Sequence, residues 1–324
     1  METINGAVNY QGYPSVVVLG NFDGLHLAHR EIIERAKEKA FNNNLKVVVF
    51  LLNPHPVKVL SPHKNFLMLS TLEEKKEMLE KLGVDYLVVE SFTLEFAEIS
   101  PLQFVQQYLV QCLNVKKVVV GFDYTFGSKG TGTPTDLLKW GEEFDFNTEI
   151  VPPVIINNEI ASSSLIRELL SKGKVYKASQ YLGYYFRRKG KVIHGEGRGK
   201  TLGYPTANLH FPEDLLLPAN GVYLTLITWK GNSFFGLTNI GSKPTFSRKF
   251  ERHVEVYIID FKGDIYEEEL TVMFLQKIRN EVAFSAPYFL VKQIESDLKT
   301  AVKLIKNEYG DLLSRRYYNH HFTL

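Results

Sequence analysis

Val16-Val-Val-Leu-Gly-Asn-Phe-Asp-Gly-Leu-His-Leu-Ala-His29 decides how the first half of this chain is read. Four apolar residues, Val16 to Leu19, run into a turn containing Gly20 and Gly24, and helical spacing follows at Ile32, Ala36 and Ala40. A strand that feeds a helix through a tight glycine turn opens an α/β unit. Apolar runs at 46–52, 86–89, 117–121 and 148–151 repeat the strand signal. Between them lie helical periodicities: Leu72, Leu79 and Leu82; Leu102, Val105, Leu109 and Cys112; and Leu137 with Leu138. The alternation predicts a parallel sheet covered by helices on both faces, whose ligands sit at the carboxyl ends of the strands.

Working outward, two short helices at about 163–171 and 174–182 close this half, and then the rhythm changes. From Phe186 the pattern is strands at 187–194, 221–229, 233–240, 252–261 and 268–275, separated by glycines and prolines with no helix between them. That predicts a compact antiparallel β-barrel. A helix after Pro287 carries Leu290, Val291, Ile294, Leu298, Ala301, Val302 and Ile305 on one face, suited to packing on the barrel. The 324 residues exceed one ordinary core. The expected domains are 1–184 and 185–324.

Charge excludes some partners. Residues 1–184 hold 18 basic against 21 acidic side chains and the remainder 20 against 15, so the net +2 is split mildly and interspersed. No polyanion track is predicted, and nucleic acid is not an expected partner. Cys112 is the single cysteine, which excludes an internal disulfide and a thiolate metal cage. No secretion signal is read at the N-terminus, and the longest apolar stretch, Val47 to Leu52, is far below the roughly 20 residues that span a bilayer. A cytoplasmic location with no membrane association is the expectation.

The residues at Gly20 to His29 can handle a phosphate. Glycines let backbone amides approach an anion, and His26 and His29 share one face at the positive end of a helix. A metal reading lacks a third ligand nearby. From spacing alone, a capped helix with two half-exposed histidines fits equally well. A second chemistry-bearing stretch is Gly190-Lys-Val-Ile-His-Gly-Glu-Gly-Arg-Gly-Lys-Thr-Leu-Gly-Tyr-Pro-Thr-Ala-Asn208. Its glycines serve either a nucleotide loop or a plain hairpin connection. Thr206 and Asn208 fall on one face of a strand and offer hard oxygen ligands, or they are two polar residues at a strand edge. Glu255 reads either as a general base or as an outward-facing strand glutamate.

These stretches resemble two known signatures. Gly20–His29 is similar to the nucleotidyltransferase H-x-G-H motif in the G-x-F-D-G-x-H form of bacterial FAD synthetases, with Ala28 in place of the usual glycine. In that family's order follow Asn53-Pro-His-Pro56, with Leu51 before it in place of threonine; Val120-Gly-Phe-Asp-Tyr-Thr-Phe-Gly127; and Ala161-Ser-Ser-Ser-Leu-Ile-Arg167. In the last, Ala161 and Ser164 replace isoleucine and threonine. Gly190–Asn208 resembles the riboflavin kinase signature, and Asn239–Thr245, His253–Phe261 and Ile278–Phe284 agree with it. Tyr257 stands where histidine is frequent, and Glu267 replaces a glycine.

The resemblance, to bacterial bifunctional riboflavin kinase/FAD synthetases, covers almost the whole chain. It implies a Rossmann-like nucleotidyltransferase domain followed by a riboflavin kinase barrel. It implies phosphorylation of riboflavin to FMN by ATP with release of ADP, then adenylylation to FAD with release of pyrophosphate. Implied catalytic residues are Glu255, His26 and His29. Implied contacts to ATP or FMN in the first domain are Gly20, Phe22, Asp23, His55, Asp123, Ser163, Ser164 and Arg167. Those in the second are Gly195, Gly199, Lys200, Gly203, Pro205, Thr206, Asn208 and Arg279, with Thr206 and Asn208 holding Mg²⁺. The alternatives are a riboflavin kinase with a weak or inactive first domain, or a flavin-responsive regulator.

Overall fold

The computed structural model describes residues 1–195, 197–244 and 250–314. The chain divides into two compact units, Met1–Ser163 and Ser164–Leu324.

The first unit is a six-stranded sheet of β1 (Glu2–Asn5), β2 (Ser15–Leu19), β3 (Lys46–Asn53), β4 (Tyr86–Ser91), β5 (Val115–Gly121) and β6 (Asn147–Val151). The order is β1-β4-β3-β2-β5-β6, and every pairing is parallel. Five of these strands coincide with the apolar runs. β1 was not expected, because its four residues, Glu-Thr-Ile-Asn, bury only Ile4 and give no run. The helices are α1 (Leu27–Asn43), α2 (Pro56–Leu60), α3 (Leu72–Lys81), α4 (Leu94–Ala97), α5 (Pro101–Phe104) and α6 (Pro134–Phe144). α5 runs on through Val105–Cys112 in wider π turns. Alternation along β2 sends Val17 and Leu19 into the layer holding Phe104, Leu109 and Leu137. The opposite face of the sheet is covered by α1, which packs on β2, β3 and β5. A two-stranded hairpin, β7 (Ile155–Ile156) and β8 (Glu159–Ile160), follows.

The division falls at the first residue of α7 (Ser163–Ser171), and α8 (Val175–Leu182) follows in the second unit. A closed barrel follows, of β9 (Arg187–Ile193), β10 (Ala207–His210), β11 (Gly221–Trp229), β12 (Asn232–Pro244), β13 (Phe250–Ile258) and β14 (Glu269–Arg279). Its order is β10-β13-β12-β11-β14-β9, antiparallel throughout. The one-turn α9 (Arg198–Thr201) lies between β9 and β10. α10 (Pro287–Leu304) continues through Ile305–Tyr309 to α11 (Asp311–Ser314). Val254 and Val256 are wholly buried inside the barrel, as are Thr225 and Thr238, whose hydroxyls bond each other at 2.8 Å. Small barrels are filled in this way, so the interior leaves no cleft. The opposite side chains, Val222, Leu224, Phe235 and Leu237, form an outer apolar face on which Ala301, Leu298 and Ile305 pack. Val302, expected among them, is exposed instead.

Candidate active sites

In the first unit β2 lies between β3 and β5, so the loops leaving β2 and β5 diverge and open a crevice at the strands' carboxyl ends. Gly20 ends β2 at this point. A Cβ on Gly20 would come to 3.0 Å from Phe22 Cζ, so a side chain at the strand exit would press on the Phe22 ring. Phe22 is buried, adopts a positive φ of 46° and meets His29 edge-on at 5.2 Å. His26 is the N-cap of α1 and is buried, and its ring stacks on His29 with centroids 3.6 Å apart. Two imidazoles thus stand together at the positive end of a 17-residue helix.

The loop carrying them is braced from several elements. The Asp23 carboxylate accepts the backbone N–H groups of Leu69 (2.9 Å) and Ser70 (3.0 Å) and the Ser70 hydroxyl (3.1 Å). Ser70 Oγ in turn accepts from Gly24 N at 2.9 Å. The buried Lys75 ammonium of α3 donates to the Asn21 carbonyl at 2.9 Å. Ser163 Oγ donates to the Asp23 carbonyl at 2.8 Å, so Asp23 and Ser163 both act on the loop itself. His55 caps α2, its Nδ1 accepting from Val57 N at 3.3 Å, and stacks with Phe66. Asp123 lies just after β5 with Oδ1 against Gly121. A cavity of about 360 Å³ adjoins the crevice, lined by Gly20, Phe50, Phe92, Phe96, Tyr124 and Phe126. Burial pushes the Tyr124 phenol far above its ordinary pKa. Ser164 and Arg167 follow in α7, within the second unit.

In the second unit, strand register builds a row. Asn208 of β10 is opposite Glu255 of β13, which is opposite Asn239 of β12. The period of two places Glu255 on the outer face, away from Val254 and Val256. Gly199, Thr206, Asn208, Asn239, Glu255 and Arg279 surround one cavity of about 300 Å³. Leu290, Ile294 and Asp297 line it from α10. Two glycines are dictated by close approach. A Cβ on Gly195 would overlap the Asn208 amide, and one on Gly199 would overlap the Tyr204 carbonyl and reach Thr206 Oγ1 at 3.1 Å. Gly203 turns the chain at φ 84° after α9, and Pro205 precedes β10. Glu255 Oε1 is 2.8 Å from His253 Nε2. Arg279 donates through Nε and Nη2 to the buried Asp297 carboxylate, at 2.9 Å to Oδ2 from each, and through Nη1 to the Asn280 carbonyl at 3.0 Å. Gln293 supports Asp297 at 2.9 Å. The Lys200 side chain and Thr245 lie outside the described residues.

Family comparisons agree with both halves. A family model described as FAD synthetase matches residues 9–165, and one described as riboflavin kinase matches residues 182–305. A "Bifunctional riboflavin kinase/FMN adenylyltransferase" from Listeria monocytogenes is 42% identical over 87% of this chain and 90% of its own length. The protein of the same description from Bacillus subtilis is 37% identical over 90% of this chain and 93% of its own. The chain belongs to the bifunctional riboflavin kinase/FMN adenylyltransferase family. A solved structure from Streptococcus pneumoniae, described as a macrolide-efflux protein, shares the fold with a TM-score of 0.87 and 34% identity, covering 93% of this chain and 99% of that one. Among the described residues no helix is long and apolar enough to cross a membrane.

Within the riboflavin kinase region the structure brings together Gly199, Thr206, Asn208, Glu255 and Arg279. Within the FAD synthetase region it stacks His26 on His29 and ties Asp23 to Ser163. Sequence reasoning missed the aromatic cavity lining, the braces Ser70 and Lys75, and the pairs His253–Glu255 and Asp297–Arg279. Two of these had a signal. His253 is two residues from Glu255 in a strand, hence on its face, and Asp297 is a charge flanked by the apolar Ile294 and Leu298 of one helix.

Proposed function

We propose that this enzyme builds FAD from riboflavin in two ATP-dependent steps at two separate sites. In the barrel the terminal ribityl hydroxyl of riboflavin takes the γ-phosphoryl group of ATP, giving FMN and ADP. In the first unit the FMN phosphate attacks the α-phosphorus of a second ATP, giving FAD and pyrophosphate. The observation that carries this reading is the cross-strand row of Asn208 and Glu255, with Thr206 and Arg279, around one cavity.

Phosphoryl transfer to an alcohol needs a proton acceptor and charge neutralisation. Glu255 is the carboxylate of the row and takes the hydroxyl proton. Thr206 and Asn208 supply neutral oxygens. Among the described residues no group of three or more His, Cys, Asp or Glu could hold a metal. Such a donor set suits Mg²⁺, which keeps water and phosphate oxygens as its other ligands. When bound, Mg²⁺ offsets charge on the ATP phosphates. Gly195 and Gly199, with no room for side chains, bring backbone close to the nucleotide, and Lys200, Gly203 and Pro205 shape the same loop. Arg279 uses three of its five N–H groups on Asp297 and Asn280, so it brings its charge and its remaining donors to a ligand.

In the first unit, His26 and His29 donate to the α-phosphate as charge grows there, aided by the N-terminus of α1. No base is required, because the attacking phosphate is already an anion. Gly20, Phe22, Asp23 and Ser163 fix the loop, and the aromatic cavity takes the flavin ring. His55 and Asp123 contact phosphate or nucleotide. The functional boundary is placed at 184/185, between α8 and β9, which leaves α7 to adenylyl transfer. Both reactions are assigned to the cytoplasm.

The test is turnover of riboflavin and of FMN with ATP in two variants. Glu255→Gln is expected to lose FMN formation while still converting FMN to FAD, and His29→Ala to do the reverse. Loss of both activities in both folded variants would overturn the separation of sites.

A further inference from the structure

We infer that His253 is a positioning residue for Glu255 in riboflavin phosphorylation, an inference that rests on the kinase reading above. The two residues are spaced by two along β13 and so project from the same outer face. Glu255 borders the cavity, whereas His253 is not part of its lining, so His253 meets the reacting groups only through the carboxylate. The contact is 2.8 Å, from His253 Nε2 to Glu255 Oε1. A carboxylate that is ready to accept a proton is ionised and can only accept hydrogen bonds, so Nε2 carries the hydrogen and donates. The contact favours one Glu255 rotamer, and proton abstraction demands one orientation of the carboxylate.

β12 and the Glu281 carboxylate form the surroundings of His253. Its partner on β12 is Gly241, which offers no side chain to compete for Nε2. The space above Gly241 is taken by the Glu281 carboxylate, since a Cβ on Gly241 would overlap Glu281 Oε1. Glu281 is itself held by Asn220 Nδ2 at 3.0 Å. The second row of the site, behind Asn208, Glu255 and Asn239, is therefore His253, Gly241 and the tethered Glu281.

The experiment measures steady-state riboflavin phosphorylation by the full chain for wild type, Glu255→Gln, His253→Ala and His253→Gln. His253→Ala is expected to lower kcat about tenfold, with KM for riboflavin and ATP changed less than about twofold. Glutamine places an amide N–H near the position of Nε2, so His253→Gln should recover most of the loss. Imidazole added to His253→Ala should raise kcat again, which a purely structural defect would not allow. An unchanged kcat in His253→Ala would overturn the inference, as would equal loss in both His253 variants without imidazole rescue, or a loss confined to KM. Should Glu255→Gln retain full activity, the kinase reading itself fails, and that result is distinguishable from failure of the His253 role.

Discussion

At Gly195 a methyl group has nowhere to go, because it would occupy the space of the Asn208 amide. Asn208 is buried and lies opposite Glu255 in the strand register, and the response to such a methyl is displacement of the amide from its place at the cavity. Gly195→Ala is therefore expected to lower kcat for riboflavin phosphorylation about tenfold or more, while adenylylation of supplied FMN is unchanged. Both are read by separating FMN and FAD chromatographically. A second residue-scale consequence concerns Asp297, 3% exposed and bonded to Arg279 through both oxygens. Asp297→Ala leaves a largely buried guanidinium without its counter-charge. The expected loss is about 2–3 kcal/mol in urea unfolding, somewhat below the figure for a fully buried pair because Arg279 keeps 20% of its side-chain surface. At this scale the sequence pointed to candidate residues for the chemistry and hid those that hold them. Type and spacing left Glu255, Thr206 and Asn208 open, and the resemblance to riboflavin kinases singled them out. Asp297 is separated from Arg279 by a loop and nearly three turns of α10, and only the tertiary packing of that helix brings them together.

At the scale of elements, α6 shows how a helix end reports on pH. Thr133 and Asp136 form a capping box, in which Asp136 accepts from the Thr133 hydroxyl (2.7 Å) and from its backbone N–H (2.8 Å). The Thr133 hydroxyl, then the Thr133 backbone bond, hold the Asp136 carboxyl below its ordinary value. A depressed folded pKa stabilises the protein above the ordinary carboxylate pKa, and that stabilisation is lost as pH falls through the folded value. Thr133→Ala should cost about 1 kcal/mol at neutral pH. The Tm gap between wild type and Asp136→Asn should close on acidification, as followed by circular dichroism. Cys112 gives a second element-scale check, since it ends the π-turn extension of α5 half-buried against the core. Burial, and then the nearby Glu90, push its thiol pKa up. Alkylation by iodoacetamide at neutral pH is expected to be slow in the folded protein and fast in urea. The strands and helices with long apolar periodicity were legible from the sequence. β1 and β10 were not read as separate runs, because four residues with mixed polarity cannot establish a period of two.

For the molecule as a whole, the change from alternating strands and helices to strands alone identified two folds, because each periodicity fits one kind of layer. The position of the kinase cavity was less accessible. A closed barrel suggests an interior pocket, yet this one is filled by Val254, Val256, Thr225 and Thr238, and the cleft lies outside under α10. Nothing in the strand pattern alone distinguishes an outer face covered by a helix from one bathed in solvent. The two reactions share one species, FMN, which is the product of the first and the nucleophile of the second. On the proposed assignment the two steps use different side chains, Glu255 for the first and His26 with His29 for the second. Mixed in equal amounts with riboflavin and ATP, Glu255→Gln and His29→Ala are therefore expected to make FAD together, although neither does so alone. FMN released by the His29→Ala chain must accumulate before the Glu255→Gln chain can use it. The mixture should show a lag that shortens as total protein rises, whereas the steady FAD rate should approach that of the slower half-reaction. Absence of FAD from the mixture, with each variant keeping its own half-reaction, would mean that FMN does not pass between sites through free solution.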